Sequence, residues 1–130
     1  MVNPYHLEQR QTLDLIRDHL ETVPEDRDRL LEWTTPYRSF RAAAFDFLDR
    51  HFQAVCTEKC CRSRLSACCS REGIVTFFAD MAVNVLVSDA PELDALGAVL
   101  DVPNAGFKCV YLGDRGCLWR IKPIVCEMFL

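Results

Sequence analysis

The sequence predicts a mostly α fold, a helical bundle supporting an irregular cysteine-rich metal-binding region with one small β-hairpin. Three observations carry this reading. Before residue 56, apolar side chains recur at helical spacing behind cap-plus-proline start signals. Residues 56–73 are polar, basic and rich in cysteine, with no apolar period. Near the end, Gly113-Asp114-Arg115-Gly116 separates two short apolar stretches. The 130 residues are expected to form one domain, with 1–55 its helical part and 56–130 its cysteine-cluster part.

The elements follow in order. Asn3 before Pro4 reads as an N-cap with proline at the first helical position. Leu13, Ile16, Leu20 and Val23 then mark one helical face. Thr22 with Glu25 reads as a capping box for a second helix carrying Leu30, Leu31 and Trp33. Thr35-Pro36 repeats the start signal. Tyr37, Phe40, Ala44, Phe47, Leu48, His51, Phe52 and Val55 trace the apolar face of a third helix that leads to Cys56. Thr76 is read as the cap of a fourth helix, with Phe77, Met81, Val85 and Leu86 facing inward. Ala90-Pro91-Glu92 starts a fifth helix through Leu100, and 102–106 is a loop. Phe107–Leu112 and Cys117–Ile121 are the expected limbs of the hairpin. Pro123 opens a last helical turn bearing Cys126.

Composition bounds the function. The apolar fraction is 50% and the charged fraction 26%, as in ordinary globular chains. A net charge of -4 argues against a protein that works by neutralising nucleic-acid phosphates. The first ten residues have neither the basic nor the apolar region of a secretory signal. The longest apolar run, Ile74 to Val87, is interrupted by Asp80 and Asn84 and is too short to span a bilayer. The expected setting is therefore the reducing cytoplasm, where grouped cysteines bind metals or catalyse more often than they form disulfides.

Eight cysteines are present and none falls in the first 55 residues. Cys56, Cys60, Cys61, Cys68 and Cys69 form one group; Cys109, Cys117 and Cys126 form another. A core use of cysteine would scatter it, so this clustering calls for a shared chemical partner. Eight of the fifteen basic residues lie within or beside the two groups: Lys59, Arg62, Arg64, Arg71, Lys108, Arg115, Arg120 and Lys122. Cations there offset thiolate charge and favour ionised thiols; solvated surface charge explains them equally well.

Three readings of the cysteines compete. In the first, thiolates hold zinc or iron, four to a tetrahedral site. Cys109 and Cys117 on the two hairpin limbs and Cys126 on the following turn supply three ligands, and the first group supplies the rest. In the second, the cysteines form disulfides, with on the order of a hundred possible pairings. The missing secretion signal and the adjacent pairs Cys60-Cys61 and Cys68-Cys69 weigh against it. In the third, a thiol is a nucleophile and needs a base. His6, His19 and His51 all lie in helical segments outside the cysteine groups. His51 is closest to Cys56, but a half-buried structural histidine is its preferred reading. Trp33, Trp119 and the phenylalanines of the third and fourth helices read as core, and Asp80 with Asn84 as a commonplace exposed polar pair. No phosphate loop, nucleophile elbow or acid/base carboxylate pair is present, which favours a binding protein over an enzyme.

The closing segment sharpens the choice. Phe107-Lys-Cys109-Val-Tyr-Leu112-Gly-Asp-Arg-Gly116-Cys117-Leu-Trp-Arg-Ile-Lys-Pro123-Ile-Val-Cys126-Glu-Met-Phe129 resembles the end of the YkgJ-like cysteine-cluster family. Cys68-Cys69, then Ile74-Val75-Thr76 and Asp80, resembles that family's upstream element. Lys122 stands where the family prefers Arg. Cys56 with Cys60-Cys61 offers a second register for the upstream ligands. The resemblance covers roughly 56–129 and implies a zinc- or iron-chelating domain without assigning a reaction. Cys109, Cys117 and Cys126 are the ligands it points to first, then Cys68 or Cys69, with Cys56, Cys60 and Cys61 completing that site or forming a second. An iron–sulfur cluster protein with redox or enzymatic work is the alternative from another class. A metal ion is the expected partner; nucleic acid and membrane are not.

Overall fold

The structure is a computed structural model, and it describes residues 3–54, 76–103, 109–113 and 116–124. Five helices lie among these residues, and 76% of them are helical. The order is α1 (Pro4–Thr22), α2 (Pro24–Trp33), α3 (Thr35–Ala54), α4 (Phe78–Val87), α5 (Ala90–Leu100), β1 (Leu112–Gly113) and β2 (Gly116–Cys117). The two strands pair antiparallel, Leu112 opposite Cys117 and Gly113 opposite Gly116. No helix among the described residues is long and apolar enough to cross a membrane.

Local chemistry sets most of the helix starts. The Asn3 side chain accepts a hydrogen bond from the Tyr5 N–H at 2.8 Å, and Pro4 takes the first helical position, where its missing donor costs nothing. Asp89 and Glu92 cap α5 reciprocally: each carboxylate accepts from the other residue's N–H, at 2.9 and 3.2 Å. The expected Thr22–Glu25 box does not form. Thr22 is the last residue of α1, and Val23, with its N–H donating back to the His19 carbonyl at 2.8 Å, caps α2 without a side-chain bond. Pro24 and the acidic pair Glu25 and Asp26 in the first turn suffice to start α2. The start of α4 also falls one residue later than expected: Phe77 is its N-cap, and Thr76 is buried just before it.

The core forms where α1, α4 and α5 meet the closing segment. Leu13, Ile16 and Leu20 of α1, Met81, Val85 and Leu86 of α4, and Leu93, Leu96 and Leu100 of α5 are buried together with Cys109, Tyr111, Leu112 and Trp119. α4 is the central element, with six of its ten residues buried. Each large apolar side chain removed from water here contributes on the order of 1.5–3 kcal/mol.

α3 buries part of the expected stripe: Tyr37, Ala44 and Leu48 are turned inward, but Phe40, Phe47 and His51 are not. Phe40 is 66% exposed and Phe47 57%, and His51 is exposed as well. The inward row is Tyr37, Arg41, Ala44 and Leu48, spaced at i, i+4, i+7 and i+11. The member not expected on this face is Arg41. Its guanidinium donates to the Lys122 carbonyl and, at 2.6 Å, to the Tyr37 hydroxyl, so a cation replaces Phe40 on the inner face. Trp33, expected in the core, is 68% exposed and lies beneath the Arg29 guanidinium, 5.9 Å from its ring centroid. Phe77, expected to face inward, is exposed also. Val55 and the side chain of Phe52 lie outside the described residues.

Candidate metal centre

Of the eight cysteines, Cys109 and Cys117 fall within the described residues. Cys56, Cys60, Cys61, Cys68, Cys69 and Cys126 lie outside them. Cys109 opens a tight turn in which the Leu112 N–H donates to its carbonyl at 3.1 Å. Within that turn the Tyr111 N–H donates to the Cys109 sulfur at 3.4 Å. Cys109 is buried, and Cys117 is half-buried opposite Leu112 on β2. The Leu118 N–H donates to the Tyr111 carbonyl at 2.8 Å, which carries the pairing one residue past the strands.

Tyr111 joins these two thiols to the rest of the fold. Its ring is 1% exposed and lies 4.9 Å from the Trp119 ring. Its hydroxyl donates to the Gln9 side chain at 3.4 Å. Burial holds this phenol well above the usual tyrosine range, and the ionisable groups of Tyr5, Cys109 and Cys117 push in the same direction. Both thiols therefore lie within electrostatic reach of one buried hydroxyl. Tyr5 extends the connection, because the Thr76 N–H donates to its hydroxyl at 3.1 Å.

The segment beyond Cys117 is gripped by three buried polar side chains. Asn84 is fully buried; its amide donates to the Ile121 carbonyl at 2.7 Å and accepts from the Ile121 N–H at 2.9 Å. Asp80, one turn earlier on α4, accepts from the Ile124 N–H at 3.1 Å and from the Phe77 N–H at 3.0 Å. Arg41 holds the Lys122 carbonyl from the α3 side. Asp80 and Asn84 are thus not the exposed pair that their spacing alone implied. Their partners in the closing segment lie 44 positions from Asp80 and 37 from Asn84, and no local signal reveals them.

His6, read as structural, is buried at the first turn of α1, and burial lowers its pKa. His6 Nδ1, Thr76 Oγ1 and Trp119 Nε1 are buried with no hydrogen-bond partner among the described residues. His19 pairs with Asp26 at 2.8 Å, and His51 lies against Phe47, ring centroids 4.5 Å apart. Among the described residues no three His, Cys, Asp or Glu side chains come together within reach of one metal ion. Cys109 and Cys117 thus provide at most two donors, and a four-ligand site would draw the others from cysteines outside the described residues.

No protein-family model matches the chain, and no curated protein or solved structure is detectably similar to it.

Proposed function

We propose that this protein binds zinc or iron through clustered cysteine thiolates. The observation that carries this reading is the Cys109 sulfur, which is buried yet accepts the Tyr111 backbone N–H inside a tight turn. An N–H directed at sulfur favours the thiolate, the form that binds a metal cation. Hydrogen bonds of this kind also tune metal-bound sulfur.

The Leu112–Gly113 and Gly116–Cys117 pairing is read as the hairpin, with Cys117 on its second strand and Cys109 in the turn that precedes its first. Cys126 is the next ligand, and the hold of Asp80, Asn84 and Arg41 on residues 121–124 fixes the chain just before it. Cys68 or Cys69 completes a four-thiolate set, and Cys56, Cys60 and Cys61 belong to that site or to a second one. The likeness of the closing segment to the YkgJ-like cysteine-cluster family points the same way. Such a metal supplies folding energy and fixed thiolate geometry. No catalytic group is assigned, and the cytoplasm is the proposed compartment.

Elemental analysis of protein purified without added metal, together with a visible spectrum, tests the reading. Stoichiometric zinc in a colourless protein, or iron with thiolate absorption, is the expected result. A brown protein carrying acid-labile sulfide would replace the single ion with an iron–sulfur cluster. Protein free of zinc and iron, with all eight thiols open to titration, would overturn the proposal.

A further inference from the structure

α3 carries two rows of side chains suited to packing, and the described part of its own chain uses one. The inward row of Tyr37, Arg41, Ala44 and Leu48 turns toward the rest of the fold, with Arg41 on the Lys122 carbonyl. A second row, Pro36, Phe40, Ala43, Phe47 and Arg50, repeats in steps of four and three residues and is exposed at every position. Phe40 and Phe47, one heptad apart, are 66% and 57% exposed. A period of 3.5 residues is the spacing with which one helix meets another along a coiled-coil contact. Single exposed apolar residues are ordinary; an aligned row of them on one helix marks an interaction surface.

This row is complementary to itself. Its large members, Phe40 and Phe47, alternate with its small ones, Pro36 and Ala43. Two copies of α3 can run antiparallel about a twofold axis, with Phe40 opposite Ala43 and Phe47 opposite Pro36. Every phenylalanine then meets a small residue of the other copy. A parallel pairing in register sets Phe40 on Phe40 and Arg50 on Arg50 instead.

Charge selects the same orientation. The antiparallel register places Arg50 of one copy beside Glu32 of the other, and the twofold axis repeats the pair. Glu32 lies one turn before Pro36. The backbone between them stays helical through Thr34, whose N–H donates to the Leu30 carbonyl at 2.9 Å and whose carbonyl accepts from the Arg38 N–H at 2.8 Å. Glu32 and Arg50 are both exposed, and neither forms an ion pair with another described residue.

We propose that this protein forms an antiparallel dimer through the exposed row of α3, its partner being a second copy of the same chain. From Pro36 to Arg50 the contact runs about 21 Å at about 1.5 Å per residue. That is a small interface, so association belongs to the micromolar, reversible class. No thiol takes part, and the dimer is independent of the metal reading.

Sedimentation equilibrium of the full chain from about 5 to 500 µM tests this. A monomer–dimer equilibrium within that range is expected. Phe40→Ser should weaken association at least tenfold and leave the circular dichroism unchanged. Arg50→Glu sets acid against Glu32 and should weaken it several-fold, as should Glu32→Arg; the chain carrying both should regain wild-type affinity. This exchange is confined to exposed positions and decides the matter if Phe40→Ser fails to fold. Monomer at every concentration would overturn the proposal and leave the row to another part of the chain or to a different protein. A dimer indifferent to Phe40→Ser, or a double exchange no tighter than its single members, would overturn it as well.

Discussion

The Asn84 side chain hydrogen-bonds Ile121 as a neighbouring β-strand would. It donates to the Ile121 carbonyl at 2.7 Å and accepts from the Ile121 N–H at 2.9 Å, while its second donor contact is the Asp80 carbonyl at 2.9 Å. One buried amide thus satisfies both main-chain groups of a residue that belongs to no sheet. Few residue types can replace it, since the position needs a donor and an acceptor on one short planar group.

Asn84→Ala should therefore destabilise the protein by about 2–4 kcal/mol, because it leaves a buried N–H and a buried carbonyl without partners. Asn84→Asp should be at least as damaging, as it keeps the acceptor but loses both donor contacts and adds a buried charge. Urea unfolding monitored by circular dichroism checks both. An Asn84→Ala midpoint equal to wild type would remove the amide from any structural role.

Asp80 gives a graded series. Its two carboxylate oxygens accept from two different N–H groups, those of Phe77 and Ile124. Asp80→Asn retains one acceptor and should cost about 1–2 kcal/mol; Asp80→Ala retains none and should cost more. Hydrogen exchange adds a positional readout, with the Ile124 amide losing protection in both variants while the amides of α1 stay slow.

His6 provides a pH dependence. Burial depresses its pKa in the folded state below the ordinary 6.5, so the unfolded chain takes up this proton at higher pH than the native one. Its contribution to stability is complete above pH 6.5 and is lost as pH falls from there through the folded pKa. His6→Phe should flatten that part of the stability curve. Unfolding midpoints of the two proteins at pH 7.5, 6.5 and 5.5 should diverge toward acid; parallel curves would mean that His6 charges freely in the native state.

The two tryptophans should separate spectroscopically. Trp119 is 3% exposed against Tyr111, and Trp33 is 68% exposed. Acrylamide should quench Trp33 efficiently and leave a blue-shifted, protected component that Trp119→Phe removes. Trp33→Gln should change stability by no more than about 0.5 kcal/mol, the usual scale for surface positions.

The thiols can be separated from simple packing by isosteric exchange. Cys109→Ser and Cys117→Ser should each reduce bound zinc or iron and lower the melting temperature. Adding a chelator should then lower the wild-type melting temperature and leave the variants nearly unchanged. Equal chelator sensitivity in all three proteins would place the metal elsewhere.

What was readable from the chain divides by distance along it. Asn3-Pro4 and Ala90-Pro91-Glu92 mark helix starts because a cap and its donors sit within three residues. Leu13, Ile16 and Leu20 were legible as core because a single helix repeats them. On α3 the pattern finds Tyr37, Ala44 and Leu48 but not Arg41, whose burial depends on a carbonyl 81 residues away. The burial of Asn84 and Asp80 is hidden for the same reason, because Ile121 and Ile124 lie 37 and 44 residues further on. Of the candidate site, the sequence pattern reads Cys109 as part of a strand limb; the turn that it opens, and the bond from the Tyr111 N–H to its sulfur, emerge only from the folded backbone.

The bond between Gln9 and Tyr111 joins groups 102 residues apart, and the one between Tyr5 and Thr76 spans 71. Such contacts impose an order on vectorial synthesis. α1 is made before the other described helices, yet Tyr111, the partner of its Gln9, and the main-chain strip that satisfies Asp80 and Asn84 are made only after α5. A nascent chain stalled after α5 carries an open polar seam on α4, a state that chaperones and proteases would meet before the native one exists.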